Sequence, residues 1–253
     1  MAPIIHLVRH AQGVHNLSRE NQEISDPDLT PLGLEQCAEL RKKFDAHDKL
    51  THLVASPIRR TIYTCLHAFE PAVKAGVKVI ALPDAQEVST LPCDIGSDPS
   101  KLKAEFGDSV DLHLVTEGWN DKSRGSKYYP NPANLEARTR DARVWLRELV
   151  KGNDDAQVVL VTHGGILHFL TEDFQGVLIN RGTGWNNVEL RSYEFADPTG
   201  QDPGASLKET QPSWRSRRGS AIPLTETEQQ QLRQAFQTVL DEETKKREEA
   251  VVD

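Results

Sequence analysis

Long apolar runs are missing from this 253-residue chain. Nothing approaches the roughly 18 consecutive apolar residues that a membrane-spanning helix needs, so no segment is expected to cross a membrane. The start, Met1-Ala2-Pro3-Ile4-Ile5-His6, has no basic region ahead of its short apolar run. No signal peptide is therefore expected, and the expected location is the cytoplasm, with the nucleus as a second compartment. Cysteine is scarce: Cys37, Cys65 and Cys93 are an odd number, widely spaced, with no C-x-x-C pair. That argues against a disulfide framework and against a zinc site, and leaves free thiols in a reducing compartment. A basic excess is absent too. The net charge is −8, which argues against a general nucleic-acid binder. Internal repeats are absent. Hydrophobic residues make up 37% of the chain, enough for a core but low for the length, so part of the chain should be solvated.

What is present is an alternation of short apolar runs and helical patterns. Ile4 to Val8 is a strand-length run that stops at Arg9-His10. Thr30-Pro31-Leu32-Gly33 opens a helix, with Thr30 as N-cap and Pro31 in the first turn. Leu34, Cys37, Ala38, Leu40 and Phe44 follow at helical spacing. Leu53 to Ala55 is a second strand, with a helix expected over about 57–69, and Val77 to Ala81 is a third. Ser89 to Asn134 is rich in Gly, Pro, Asp and Ser, and reads as an insertion over one end of the sheet with a short helix at about 99–106. Asn134 to Val150 is amphipathic, with Leu135, Ala142, Trp145, Leu146 and Leu149 facing inward. Gln157 to Val161 is the most apolar strand and stops at Thr162-His163-Gly164-Gly165, where a helix begins that runs to about Asp173. Val188 to Phe195 alternates like an edge strand.

This order predicts a three-layer α/β fold, a mostly parallel central sheet flanked by helices. The predicted domain covers 1–195, with the insertion at about 88–134. Residues 196–223, rich in Asp, Pro, Gly, Ser and Arg, read as a flexible linker. Residues 224–253 read as a charged C-terminal helix. Its sparse apolar stripe, Leu232, Ala235, Phe236, Val239 and Leu240, would dock on the domain or on a partner, a second copy included.

In an open parallel sheet, ligands bind beyond the carboxyl ends of the strands. Arg9 and His10 follow the first strand. Ser56, Arg59 and Arg60 follow the second, Glu87 the third, and His163 with two glycines the fourth. A set rich in Arg and His, without a metal-ligand triad, suits a phosphoryl group. Arg forks match phosphate oxygens, and a helix start adds backbone N–H donors. Taken singly, each piece has a plainer reading: a structural histidine, a solvated arginine pair, a tight turn. Their joint placement at several strand ends favours a site.

Those same residues carry a family resemblance. Val8-Arg9-His10-Ala11 with Asn16 resembles the R-H-G-x-x-x-x-N signature of the histidine phosphatase, or phosphoglycerate mutase-like, superfamily. Ser56-Pro57-Ile58-Arg59-Arg60-Thr61 with Thr64 resembles the second motif, S-x-L-x-R-A-x-x-T. Val161-Thr162-His163-Gly164-Gly165 resembles the late V-x-H-G motif. Thr30-Pro31-Leu32-Gly33 with Gln36 resembles the stretch after the first strand, and Gln86-Glu87 stands where the family places its acid. The matches keep order and spacing over about residues 4–195, and they look most like the branch known from fungi and plants.

The resemblance implies a metal-independent phosphatase without a cofactor, acting on a small phosphorylated substrate. His10 would be the nucleophile and Glu87 the general acid, with Asp84 as a rival. Arg9, Arg60 and His163 would neutralise the phosphoryl oxygens, and Asn16 and Gly164 would add contacts. Arg59 falls outside the motif and would be a surface neighbour. Two other readings stay open. One is a cofactor-dependent mutase, for which Lys101, Lys103, Lys122, Arg124 and Lys127 in the insertion would hold a second phosphate; the plainer reading makes each of these solvated. The other is a weakly active interaction domain. Ala11 departs from the family glycine, and His15 either lines the pocket mouth or lies on the surface.

Overall fold

The computed structural model describes residues 2–177 and 183–252. The elements are β1 (Ile4–Arg9), α1 (Pro31–Lys43), β2 (His52–Ala55), α2 (Arg59–Ala68), α3 (Glu70–Lys74), β3 (Val79–Ala81), α4 (Pro99–Phe106) and β4 (Val110–Asp111). They continue with α5 (Pro132–Leu149), β5 (Gln157–Thr162), α6 (Gly164–Thr171), β6 (Leu190–Phe195), β7 (Leu207–Glu209), α7 (Gln211–Arg218) and α8 (Glu226–Val252). One sheet holds the strands in the order β4-β3-β2-β5-β1-β6-β7. The first five run parallel, and β6 and β7 are antiparallel. This is the expected three-layer α/β fold. Among the described residues, no helix is long and apolar enough to cross a membrane.

Strand alternation builds the two faces. Ile5 and Leu7 of β1 and Val158 and Leu160 of β5 face α5 and α6, where Leu135, Ala142, Leu146, Ile166, Leu167 and Leu170 meet them. Val8, Val159 and Val161 face the other way, onto Cys37, Leu40, Ile62 and Cys65 of α1 and α2. Both faces are covered, so the central strands read as unbroken apolar runs. Thr30 caps α1 as expected: its hydroxyl accepts from Gly33 N at 3.0 Å. Asn131 does the same for α5, accepting from Asn134 N at 2.8 Å.

Three expectations need correction. Residues 196–223 are not a bare linker. They carry β7, paired to β6, and α7, whose Arg217 binds Glu209 at 2.5 Å. A three-residue strand is too short to show a period, and α7 is held by charge and a cap rather than by an apolar stripe. In consequence β6 is not the sheet edge. The insertion is also more ordered than its composition suggests: it adds β4 beside β3 and buries Trp119. The stripe of α8 docks on the domain, where Phe236 and Leu240 are buried beside Phe169, Phe174 and His168.

Candidate active site

The register between β1 and β5 sets the site. Arg9 lies opposite Thr162, and His10 N donates to Thr162 O at 2.9 Å. Both chains leave the sheet at the same level, so His10 and His163 emerge side by side, with ring centroids 5.3 Å apart. The next strand, β2, ends at Ala55, and Arg60 follows in the first turn of α2. Beyond β3 a short turn at Pro83–Ala85 leads to Glu87.

His10 is 2% exposed, and its Nδ1–H donates to the Ala11 carbonyl at 2.7 Å. A carbonyl only accepts, so the proton sits on Nδ1, and Nε2 keeps its lone pair. Burial, then the charges of Arg60, His15 and Arg9, hold the ring well below its ordinary value and thus neutral. Ala11 is fully buried, and its N–H donates to Thr64 Oγ1 at 3.0 Å. It is not among the residues with positive φ, so the missing glycine costs no strain here.

His163 is fully buried and likewise kept neutral, first by burial and then by Arg60. Its Nδ1 accepts from Arg60 at 2.9 Å, which leaves Nε2–H to donate to Ser56 Oγ at 2.8 Å. The Arg60 guanidinium is gripped further by the Cys93 carbonyl at 2.5 Å and by Asp94 Oδ1 at 2.7 Å, while its buried Nε has no partner. Arg9 donates to the Trp185 carbonyl at 2.5 Å, and its Nε is also buried without a partner. The loop that supplies Trp185 is pinned over the nucleophile by Asn187, whose side-chain amide donates to the His10 carbonyl at 2.9 Å.

Glu87 lies across the start of α6. Its Oε1 accepts from Val88 N and Ile166 N, both at 2.9 Å, and its Oε2 accepts from Gly165 N at 3.0 Å. Burial and the nearby Asp94 charge push the carboxyl up, against the N–H donors and Arg60 that pull it down. Oε2, with one donor rather than two, has the spare capacity to carry a proton. Its rival Asp84 is ion-paired to Lys127 at 2.6 Å.

The structure thus brings together Arg9, His10, Arg60, Glu87 and His163 at the strand ends, with Gly164 opening α6. Asn16 is exposed and spends its side chain on its own turn: Oδ1 accepts from Gly13 N at 3.1 Å, and Nδ2 meets His15 Nε2 at 3.1 Å. His15 itself is buried, its ring 5.3 Å from that of His10. Arg59 is tied to Glu105 at 2.8 Å and Asp28 at 2.7 Å, away from these groups. Sequence reasoning missed two members. Asp94 had no motif to mark it. Lys122, read as solvated, is 6% exposed and donates to the carbonyls of Glu87 and Ser89 at 2.8 Å each. Burial pulls its amine down to about 7.

Known proteins resemble this chain in sequence and in fold. The chain is 27% identical over 238 residues to a phosphoglycerate mutase-like protein of Arabidopsis thaliana, covering 76% of this chain and 84% of the relative. It is 37% identical over 199 residues to phosphoglycerate mutase-like protein 1 of the same plant, covering 64% and 68%. Among solved structures, the ecdysone phosphate phosphatase of Bombix mori has the same fold, with a TM-score of 0.58 at 14% identity over 89% of this chain and 98% of that one. Mycobacterial glucosyl-3-phosphoglycerate phosphatase superposes with a TM-score of 0.50 at 18% identity, covering 82% of this chain and 97% of that one. The profile of the histidine phosphatase superfamily (branch 1) matches residues 5–201, and the chain belongs to that superfamily.

Proposed function

We propose that the chain hydrolyses a small phosphomonoester through a phosphohistidine formed on His10, with Glu87 as acid and then base. The observation that carries this reading is the fixed tautomer of His10: Nδ1 is tethered to the Ala11 carbonyl, and Nε2 is the basic atom. Nε2 attacks phosphorus, the bond from phosphorus to the leaving oxygen breaks, and that oxygen takes the proton from Glu87. Water then attacks phosphorus as the P–N bond breaks, and the Glu87 carboxylate receives the proton of the water. Arg9 and Arg60 offer positive charge to the oxygens of the transferring group, where positioning and charge supply most of the catalysis. The Gly164 N–H lies at the positive end of α6. Asn16 serves the site through His15.

Two of the basic residues of the insertion lend the mutase alternative no support. Lys127 is engaged by Asp84 and Arg124 by Glu248, so neither offers a second phosphate an unshared charge. Three free, buried thiols suit a reducing compartment such as the cytoplasm.

The test is a metal-free assay on a labelled aryl phosphate, with a rapid alkaline-detergent quench that traps labelled protein. The expected result is a base-stable, acid-labile phosphoryl group on the wild type and none on His10→Ala, whose turnover falls at least about 1000-fold. Undiminished turnover by His10→Ala would sink the nucleophile assignment. Glu87→Gln should slow alkyl phosphates more than aryl phosphates, because only the former leave as strong bases. Equal slowing would point to another acid.

A further inference from the structure

The insertion delivers a buried charged cluster to the site. Asp94 ends the turn Pro92–Asp94, and its Oδ1 meets the same Arg60 nitrogen that donates to His163. With the Cys93 carbonyl, it grips both terminal nitrogens of the guanidinium. The buried Nε has no partner. Asp94 Oδ2 accepts from the Ser89 hydroxyl at 2.5 Å. Lys122 in turn holds the Glu87 and Ser89 carbonyls, on either side of Val88. The arginine, the acid and the insertion are therefore joined in one buried unit.

We propose that Asp94 is a positioning residue of the phosphatase site: its carboxylate aims Arg60 and, balanced by Lys122, sets the charge felt by Glu87. This rests on the reading of Glu87 as the acid. The charges facing Glu87 come from several elements. They are Arg9 on β1, Arg60 on α2, Arg138 on α5, and Asp94 and Lys122 in the insertion, with the backbone N–H groups at the start of α6. Asp94 is the negative member. Burial works against its ionisation, but Arg60, Lys122 and the Ser89 hydroxyl hold it below the usual carboxylate range. Two nearby carboxyls are thus driven apart. Asp94 stays an anion and Glu87 keeps its proton to higher pH, which is the division of labour an acid-catalysed departure needs.

The experiment is the pH profile of kcat for an alkyl phosphate such as glycerol phosphate, whose alkaline limb reports loss of the Glu87 proton. Asp94→Asn should move that limb about one pH unit toward acid. It should lower kcat for the alkyl phosphate at neutral pH about tenfold, and for an aryl phosphate less than about threefold. Lys122→Met, which removes the opposite charge, should move the limb toward alkali, and Asp94→Glu should leave it near the wild-type position. Should Asp94→Asn fail to fold, the Lys122→Met shift tests the same field with the sign reversed. Limbs that do not move, or that move the same way in Asp94→Asn and Lys122→Met, overturn the proposal while the acid reading stands. A limb that survives in Glu87→Gln overturns the acid reading, and the proposal with it.

Discussion

The three histidines around the nucleophile should make this fold sensitive to mild acid. His10, His15 and His163 are 2%, 7% and 0% exposed, and both neighbouring rings stand 5.3 Å from that of His10. All three are held neutral in the folded state. Burial is the main cause at each, with Arg60 next, and His15 is lowered to about 3. In the unfolded chain each titrates near 6.5. Between those values the unfolded chain binds more protons than the folded one, so stability falls as pH drops through 6.5. From pH 7.5 to 5.5 each histidine costs about 1.4 kcal/mol, and the three together cost about 4 kcal/mol. Glu87 acts in the opposite sense. Its raised carboxyl takes up a proton in the folded state first, and so offsets part of that loss. The histidine contribution is a large part of the stability of a typical domain, and the buried His168, lowered to about 4, adds to the loss in the same sense. Urea unfolding at the two pH values measures it. His15→Asn should cut the loss by about 1.4 kcal/mol, because it removes one proton site from the unfolded chain. Equal stability at both pH values, or an undiminished loss in His15→Asn, would refute a neutral cluster. The same neutrality leaves His10 Nε2 with the lone pair that attack on phosphorus requires.

Two further outcomes follow from packing, and one from exposure. A methyl group at Gly165 would sit 2.6 Å from Glu87 Oε1 and 2.8 Å from Val88 Cγ2, so Gly165→Ala should displace the acid and slow alkyl phosphates about 100-fold, measured as kcat. Phe236→Ala should destabilise the fold by about 3–5 kcal/mol in urea unfolding, since the ring is buried between Phe169 and His168. Limited proteolysis should nick the exposed stretch 219–223 before the ordered β7 and α7, as mass mapping of the fragments would show.

Much of the site was legible because it hangs from regular structure. Once β1 and β5 are taken as parallel neighbours, His10 and His163 have to emerge at one edge. The cap at Thr30 and the run Gln157 to Val161 carry signals that survive without tertiary context. Asp94 and Lys122 were not legible, because both lie in irregular backbone where no period tells inside from outside. A buried lysine also runs against what composition predicts. It is tolerated because its amine meets two carbonyls and the Asp94 charge, and that pairing exists only after folding. The strand β7 escaped for a different reason. Its pairing with β6 is made by backbone groups, which every sequence has.

The long helix α8 is secured by different forces at its two ends. At about 1.5 Å per residue its 27 residues span about 40 Å. The half nearer its start is anchored by Phe236 and Leu240, apolar contacts that added salt does not weaken. The far end is held by Arg247 to Glu23 at 2.6 Å and by Glu248 to Arg124 at 2.7 Å, on partly exposed side chains. Such pairs fade as ions screen them. Ionic strength therefore works on the helix as on a gangplank bolted at one end and roped at the other. Raising it slackens the tie to the insertion loop that carries Lys122, while the bolted end keeps the helix on the domain.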